Sequence, residues 1–279
     1  MEAAAVMARA AGENFPVASR ALPRRLRRHM LALYGFARLV DEIGDSGPAD
    51  TPQARLAALD ELESELDRAF EGCATQPLLV ALEPTLRDCR LPRDPFARLI
   101  EANRVDQRVG SYETWEQLEN YCRLSANPVG ELVLHVFDAA TPARVRRSDA
   151  ICTALQLAEH CQDVAEDLRR GRVYLPAEDL RRFGCSHSDL QAQHASPAVT
   201  AVIAFELGRA RTLLVQGAPL IDELDGLRER FAVRAFVAGG RAALEAIERA
   251  GFDVLAGPPR AGRGLRLRAL AATLAGRSA

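Results

Sequence analysis

Nothing in this chain reads as a β-strand. No Val/Ile-rich alternating run bounded by turns occurs, and that excludes a sheet as the organising element. No run of 18 uncharged apolar residues occurs, so no segment is expected to span a membrane. The opening MEAAAVMARAAGENF lacks a basic start followed by a long apolar run, so it does not read as a signal peptide. The six cysteines (Cys73, Cys89, Cys122, Cys152, Cys161 and Cys185) form no CxxC and no metal-finger spacing. They are expected to be small buried apolar residues in a reducing cytoplasm rather than a disulfide framework. No histidine has metal spacing with another His or Cys. His29 and His135 are expected in or beside the core, His160 bordering the acidic helix described below, and His187 and His194 exposed. Net charge is −2, from 36 basic and 38 acidic residues, which gives no bulk attraction to nucleic acid. No linker, low-complexity tract or charge block divides the 279 residues.

What is present is helical periodicity. Leu26, Met30, Leu33, Ala37 and Val40 recur at three and four and lead into Asp41, after which Gly44, Gly47 and Pro48 are expected to end or loosen the helix. Residues 52–71 form another amphipathic pattern, and 76–88, 94–109, 113–123, 127–138 and 144–170 continue it between Pro77, Pro92, Pro95, Pro128 and Pro142. Short helices are expected over 177–183 and 187–192, and longer ones near 197–224, 226–249 and 262–276. The reading is all-α: one domain over 1–279, a bundle of roughly ten helices.

Two Asp-x-x-x-Asp pairs stand out, Asp41 with Asp45 and Asp163 with Asp167. Residues four apart share a helical face, so each pair offers two carboxylates side by side. If the two helices face each other, four carboxylates converge, and such a cluster repels itself unless cations fill it. Hard oxygen ligands in small number suit Mg²⁺ that keeps sites for water and phosphate oxygens, so the four aspartates are the candidate metal ligands. Tyr34 and Arg38 lie on the first acidic face, spaced four and three, and join the aspartates as candidate catalytic residues. Gln156, Glu159, Asp163, Asp167 and Arg170 make a comparable polar stripe among Leu155, Leu157, Ala158 and Val164. A polar stripe on an otherwise buried helix faces a cavity. The plain alternative for either pair alone is a solvated helix face.

YGFARLVDEIGD (34–45), LQLAEHCQDVAEDLRRGRVYLP (155–176) and YCRLSANPVGELVL (121–134) resemble, in order, the motifs of the squalene/phytoene synthase family. The likeness runs from about Glu13 to Gly257, and ENFPVASRALP (13–23) most resembles the hydroxysqualene synthase branch. The resemblance implies an all-α isoprenoid-synthase bundle with a central cavity and Mg²⁺-bound diphosphate. It implies conversion of presqualene diphosphate and water into hydroxysqualene and diphosphate, a carbon–oxygen lyase reaction in hopanoid synthesis that uses no NADPH. The partner would be a prenyl diphosphate lipid.

In that frame Ser19 comes from the segment closing over the diphosphate, and Arg20 is either its helper or solvated. Arg172 and Tyr174 are donors to the developing charge. Tyr121, Gln156 and Asn127 are candidates by location for holding the capturing water. Val129, Val133, Leu132, Val136, Phe137 and Leu155, with Phe231 or Phe236, would line the apolar cavity or simply form core. Glu159 stands where the family usually has Asn, Gly240 where some relatives carry Tyr, and Gly257–Pro258 where an Arg-Pro motif is common. The clusters Arg24–Arg28 and Arg260, Arg263, Arg266 and Arg268 are either solvated or bring a cytoplasmic protein to the periphery of an anionic inner membrane. Three alternatives remain open: a sister enzyme condensing two allylic prenyl diphosphates to presqualene diphosphate or phytoene, a non-catalytic assembly relative, and an ordinary terpene cyclase. The Asp-Asp-x-x-Asp run of that cyclase is missing.

Overall fold

A computed structural model describes residues 23–46 and 51–275; Ser19 and Arg20 lie outside the described residues. Within these the chain forms fourteen helices and no strand, the nearest approach being one parallel bridge between Ser111 and Val173. Two compact units divide the chain, one running to Arg108 and resuming over Arg123–Asp149, the other comprising Val109–Cys122 and Ala150 onward.

The first unit holds α1 (Arg24–Ser46), α2 (Pro52–Glu71), α3 (Pro77–Asp88), α4 (Asp94–Asp106) and α6 (Asn127–Val136). Its helix starts follow local chemistry. Thr51 accepts the Ala54 N–H ahead of Pro52, and Gln76 accepts the Leu79 N–H ahead of Pro77. Gly72 ends α2 in the left-handed region, φ 77°, where a side chain would be strained. Leu59, Leu66, Leu79 and Leu82 are completely buried, and Phe36 meets Phe96 edge to face at 5.0 Å. Leu33, Phe36 and Val40 of α1 are buried as their spacing predicts.

Gly44 departs from expectation. α1 runs straight through it to Ser46. A Cβ at Gly44 would stand 2.0 Å from Oδ1 of Asn103, so its role is to let α4 approach α1 closely.

The division falls within α5 (Trp115–Ser125) and α7 (Pro142–Gln162). The second unit continues with α8 (Val164–Arg169), α9 (Ala177–Arg182), α10 (His187–Leu190), α11 (Pro197–Gly217), α12 (Leu220–Glu223), α13 (Leu227–Arg249) and α14 (Arg263–Leu274). The single helix expected over 144–170 is interrupted at Asp163 (φ −102°, ψ 14°), although Asp163 still donates to the Glu159 carbonyl and accepts the Asp167 N–H. That over 197–224 breaks at Pro219, which has no N–H to continue it. Ala238, Ala242 and Ala246 of α13 pack on Ala261 and on Ala269 of α14, small side chains that let the two helices lie close.

A strap organises this unit's polar end. Val173 donates to the Gly110 carbonyl at 2.7 Å, Ala177 to Tyr112 at 2.9 Å and Glu178 to Glu113 at 3.0 Å. A Cβ on Gly110 would come within 2.9 Å of the Gly171 carbonyl oxygen, so glycine permits the pairing that positions Arg172 and Tyr174. The six cysteines are all free: Cys122, Cys161 and Cys185 are buried, Cys89 and Cys152 half-buried and Cys73 exposed. Among the described residues no helix is long and apolar enough to cross a membrane.

Candidate active site

In the first unit α1 carries Tyr34 and Arg38, both half-buried, then Asp41 and the exposed Asp45. Arg38 Nη1 donates to Asp41 Oδ2 at 3.3 Å, while Arg38 Nε is buried with no hydrogen-bond partner among the described residues. That is a donor facing inward with nothing to bind, as an anion site requires. The Asp41 carboxyl is raised to about 6, chiefly by desolvation, with Asp45 and Asp106 raising it further against Arg38 and a hydrogen bond from Asn103. Its side chain is 44% accessible, so the shift reflects a concave, atom-crowded recess rather than isolation from water.

Sequence reasoning missed Asn103, Asp106 and Gln107. Gln107 Nε2 donates to the Gly44 carbonyl at 3.0 Å, fastening the acidic end of α1 to α4. Their spacing was the available signal: Asp106 and Gln107 stand three and four residues after Asn103, a polar stripe on a helix whose other face is buried. Replacing Gly44 with Val is therefore expected to lower the Tm and the activity together by displacing Asn103, at a cost of about 1–3 kcal/mol. The double variant with Asn103→Ala should recover the Tm measured by circular dichroism but not the activity. Recovery of both would leave Asn103 without a role at Asp41.

Val129 and Val133 of α6 differ in accessibility: Val129 is 38% exposed and Val133 buried. Asn127 is buried as well.

In the second unit the polar stripe is Gln156, Glu159 and His160 on α7, then Asp163 and Asp167 across the helix break. Burial and the negative charge of Glu166 raise the Asp163 carboxyl, against Arg260 and Arg170. Asp167 is raised to about 7, again chiefly by burial, with Asp163 and Glu166 adding to it and Arg170 and Arg172 opposing. Asp41, Asp163 and Asp167 thus keep raised carboxyls despite the arginines that face them. Among the described residues no group of three or more His, Cys, Asp or Glu side chains stands ready to enclose a metal. Paired carboxylates of this kind fit an ion that takes its remaining ligands from water and phosphate, as Mg²⁺ does.

His160 was expected to border the acidic helix, but its part in an aromatic cluster was missed. It is fully buried and neutral, pushed down to about 3 by desolvation. Its ring stacks on Tyr174 at 3.9 Å and 12°, its Nε2 lies 3.3 Å from Gln156 Nε2, and Tyr121 lies 6.2 Å away. Tyr112 packs on Tyr121 at 5.4 Å and on Tyr174 at 5.9 Å. Three phenol rings and an uncharged imidazole thus form one aromatic cluster beside Asp167 and Arg172, and their π faces favour positive charge. Three of the chain's four tyrosines are in it.

Gly240 lies beneath this stripe. A Cβ there would stand 2.5 Å from Leu155 Cδ2 and 3.5 Å from Leu214, so Leu155 occupies the space a larger residue at 240 would need. The other histidines lie as expected, with His29 fully buried, His135 half-buried and His187 and His194 exposed.

A model of the squalene/phytoene synthase family matches residues 8–269. The hydroxysqualene synthase of Rhodopseudomonas palustris is 38% identical over 217 residues, 77% of this chain and 73% of that protein. The 15-cis-phytoene synthase of Synechococcus elongatus is 33% identical over 254 residues, 87% of this chain and 82% of that protein. Among solved structures, the squalene synthase HpnC from Alicyclobacillus acidocaldarius superposes with a TM-score of 0.80 at 44% identity, over 90% of this chain and 94% of that one. A dehydrosqualene synthase solved in complex with ligand superposes at 0.86 with 24% identity, over 98% and 95%, which is a likeness of fold.

Proposed function

Because this chain belongs to the squalene/phytoene synthase family and has its all-α isoprenoid-synthase fold, we propose that it converts presqualene diphosphate and water into hydroxysqualene and diphosphate. The observation that carries the reading is the pair Asp163 and Asp167, two raised carboxyls beside Arg172 and an aromatic cluster. The choice among sister reactions leans on the relatives: hydroxysqualene synthases match at 36–38% identity and phytoene synthases at 30–33%.

The residues divide the work by charge. Asp41 with Asp45, and Asp163 with Asp167, would hold Mg²⁺, which when bound supplies Lewis acidity to the departing diphosphate. Arg38, through its unpartnered Nε, and Arg172 would bind phosphate oxygens and share the charge that develops as the carbon–oxygen bond breaks. The leaving group takes the bonding electrons, and the lipid becomes a cyclopropylcarbinyl cation. Tyr121, Tyr174, Tyr112 and the neutral His160 offer it π faces without a charged base. The contact with Gln156 occupies one ring nitrogen of His160 and leaves the imidazole less able to strip a proton from the cation. One water then adds, its oxygen forming the new carbon–oxygen bond and its proton passing to the diphosphate. No hydride is delivered, so no nicotinamide cofactor takes part.

The deciding experiment supplies purified protein and Mg²⁺ with presqualene diphosphate or farnesyl diphosphate, each with and without NADPH, and identifies the extracted lipid. Hydroxysqualene from presqualene diphosphate, unchanged by NADPH, is the expected result. Consumption of farnesyl diphosphate instead would move the assignment to the condensing reaction, and turnover of neither would remove the proposal.

A further inference from the structure

Away from the acidic stripe, a groove of about 530 Å³ lies between α11, α13 and α14. Its floor is apolar, built from Leu214, Leu244, Ala269 and Ala272, and Arg211, Arg241 and Arg268 stand around it. Glu245 and Glu248 are the acids lining it, ion-paired with Arg268 and Arg211 respectively. Arg241 Nη1 donates to Thr273 Oγ1 at 3.3 Å.

The flank of the groove is unusual for a surface. α14 reads RGLRLRALAATL: three arginines, no acid, and an outward stripe at helical spacing. On that stripe Leu267 is 68% exposed and Leu274 49%, and Val215 at the groove's edge is 54% exposed. Arg263 and Arg268 flank the leucines on the exposed arc. Counting Arg211, Arg241, Arg263, Arg266 and Arg268 against Glu245 and Glu248, this face carries a surplus of three positive charges in a chain whose net charge is −2. Exposed aliphatic side chains ringed by guanidinium groups are poorly solvated by water and well solvated by the boundary between anionic headgroups and acyl chains. Long guanidinium side chains can reach lipid phosphates while their stems stay in the apolar layer.

We infer that the face formed by α14 and the groove between α11, α13 and α14 docks on an anionic bilayer, with one lipid acyl chain entering the groove. Charge complementarity and the exposed leucines identify the occupant as a lipid surface. All 36 basic residues of the chain are arginine, so the attraction is expected to persist unchanged to alkaline pH and to weaken with salt.

The test is co-sedimentation of the full chain with phosphatidylcholine vesicles lacking or containing about one-third phosphatidylglycerol, at low and high salt. Binding to the anionic vesicles alone, lost at high salt, is expected. Leu267→Glu combined with Leu274→Glu should weaken it at least tenfold, and Ala272→Trp, which fills the groove, severalfold. Both sets of substitutions change α14's open or groove side, and unchanged circular dichroism and Tm establish that the fold is intact. Equal binding of the leucine variant and the parent, or equal binding to neutral vesicles, would overturn the inference. So would displacement by soluble glycerophosphate, since the groove would then be a phosphate site rather than a bilayer contact. Loss through Ala272→Trp is the result that distinguishes a groove holding a chain from a surface contact of α14 alone, and unaltered binding by that variant would overturn the groove's part. None of these readouts depends on turnover, so failure here leaves the proposed reaction untouched, and failure of the reaction leaves the docking face untouched.

Discussion

Asp167→Asn is expected to reduce turnover by at least three orders of magnitude while making the metal-free protein more stable at pH 8. The two effects share one cause. The native Asp167 carboxyl is raised to about 7, and that of Asp41 to about 6, because burial and neighbouring acids oppose ionisation. A carboxyl whose native pKa exceeds its unfolded value binds more proton in the native state between the two values. Stability therefore falls as pH rises from about 4 to about 7 and is level above that. An amide removes the penalty, and after allowing for partial exposure of the site the gain is about 1–2 kcal/mol, or a few degrees in Tm. Scanning calorimetry of parent and variant without divalent ions, at pH 5 and pH 8, checks it. The difference should be largest at pH 8 and clearly smaller at pH 5. A variant less stable than the parent at pH 8 would refute the account. Added Mg²⁺ should stabilise the parent more than the variant, which keeps Asp41 and Asp45 but has lost one carboxylate of the second pair, because binding to the native carboxylates is linked to folding.

Arg209→Met is expected to cost about 3–5 kcal/mol, a large loss of stability for a single replacement. Arg209 Nη1 donates to Asp179 Oδ2 at 3.0 Å and to both oxygens of Glu206, at 2.7 and 2.6 Å. Its guanidinium also lies 4.4 Å from the centre of the Trp115 ring and 4.9 Å from that of Phe205. Glu206 is completely buried and Asp179 nearly so, and one guanidinium serves both. Burial raises Glu206 to about 7 even with Arg209 present. Removing the cation leaves two buried carboxyls without the guanidinium that both of them bind. Protonation relieves that, so the loss should be smaller at pH 5 than at pH 8, and a pH-independent loss would show that packing dominates instead. Urea titration at the two pH values separates these. Because α9 follows the strap bearing Arg172 and Tyr174, activity should fall with the clamp.

The fold was legible where periodicity ran long. α1, α2, α3 and α13 lie within a few residues of their expected bounds, because an apolar repeat over 12 or more residues is set by core burial. Boundaries slipped where a backbone detail decided them: the interruption at Asp163, the break before Pro219, and the continuation of α1 through Gly44. A glycine in a helix reads as a stop, and only the position of Asn103 reveals it as a point of contact. The acidic faces were legible for the same reason as the core, since three- and four-residue spacing fixes which side chains share a side. Asn103, His160 and the Asp179–Glu206–Arg209 clamp were not. Each acts by contact with an element distant in sequence, or, for His160, by a ring stack that spacing does not encode.

One feature of the clamp also makes this protein convenient to watch. Trp115 is the only tryptophan in the chain, and it lies against the Arg209 guanidinium. Excitation at wavelengths tyrosine does not absorb therefore reports on a single place, the junction of α5, α9 and α11. Its emission maximum and its quenching are optical signals native to the chain. They register opening of the clamp without a label, and at protein concentrations far below those calorimetry needs.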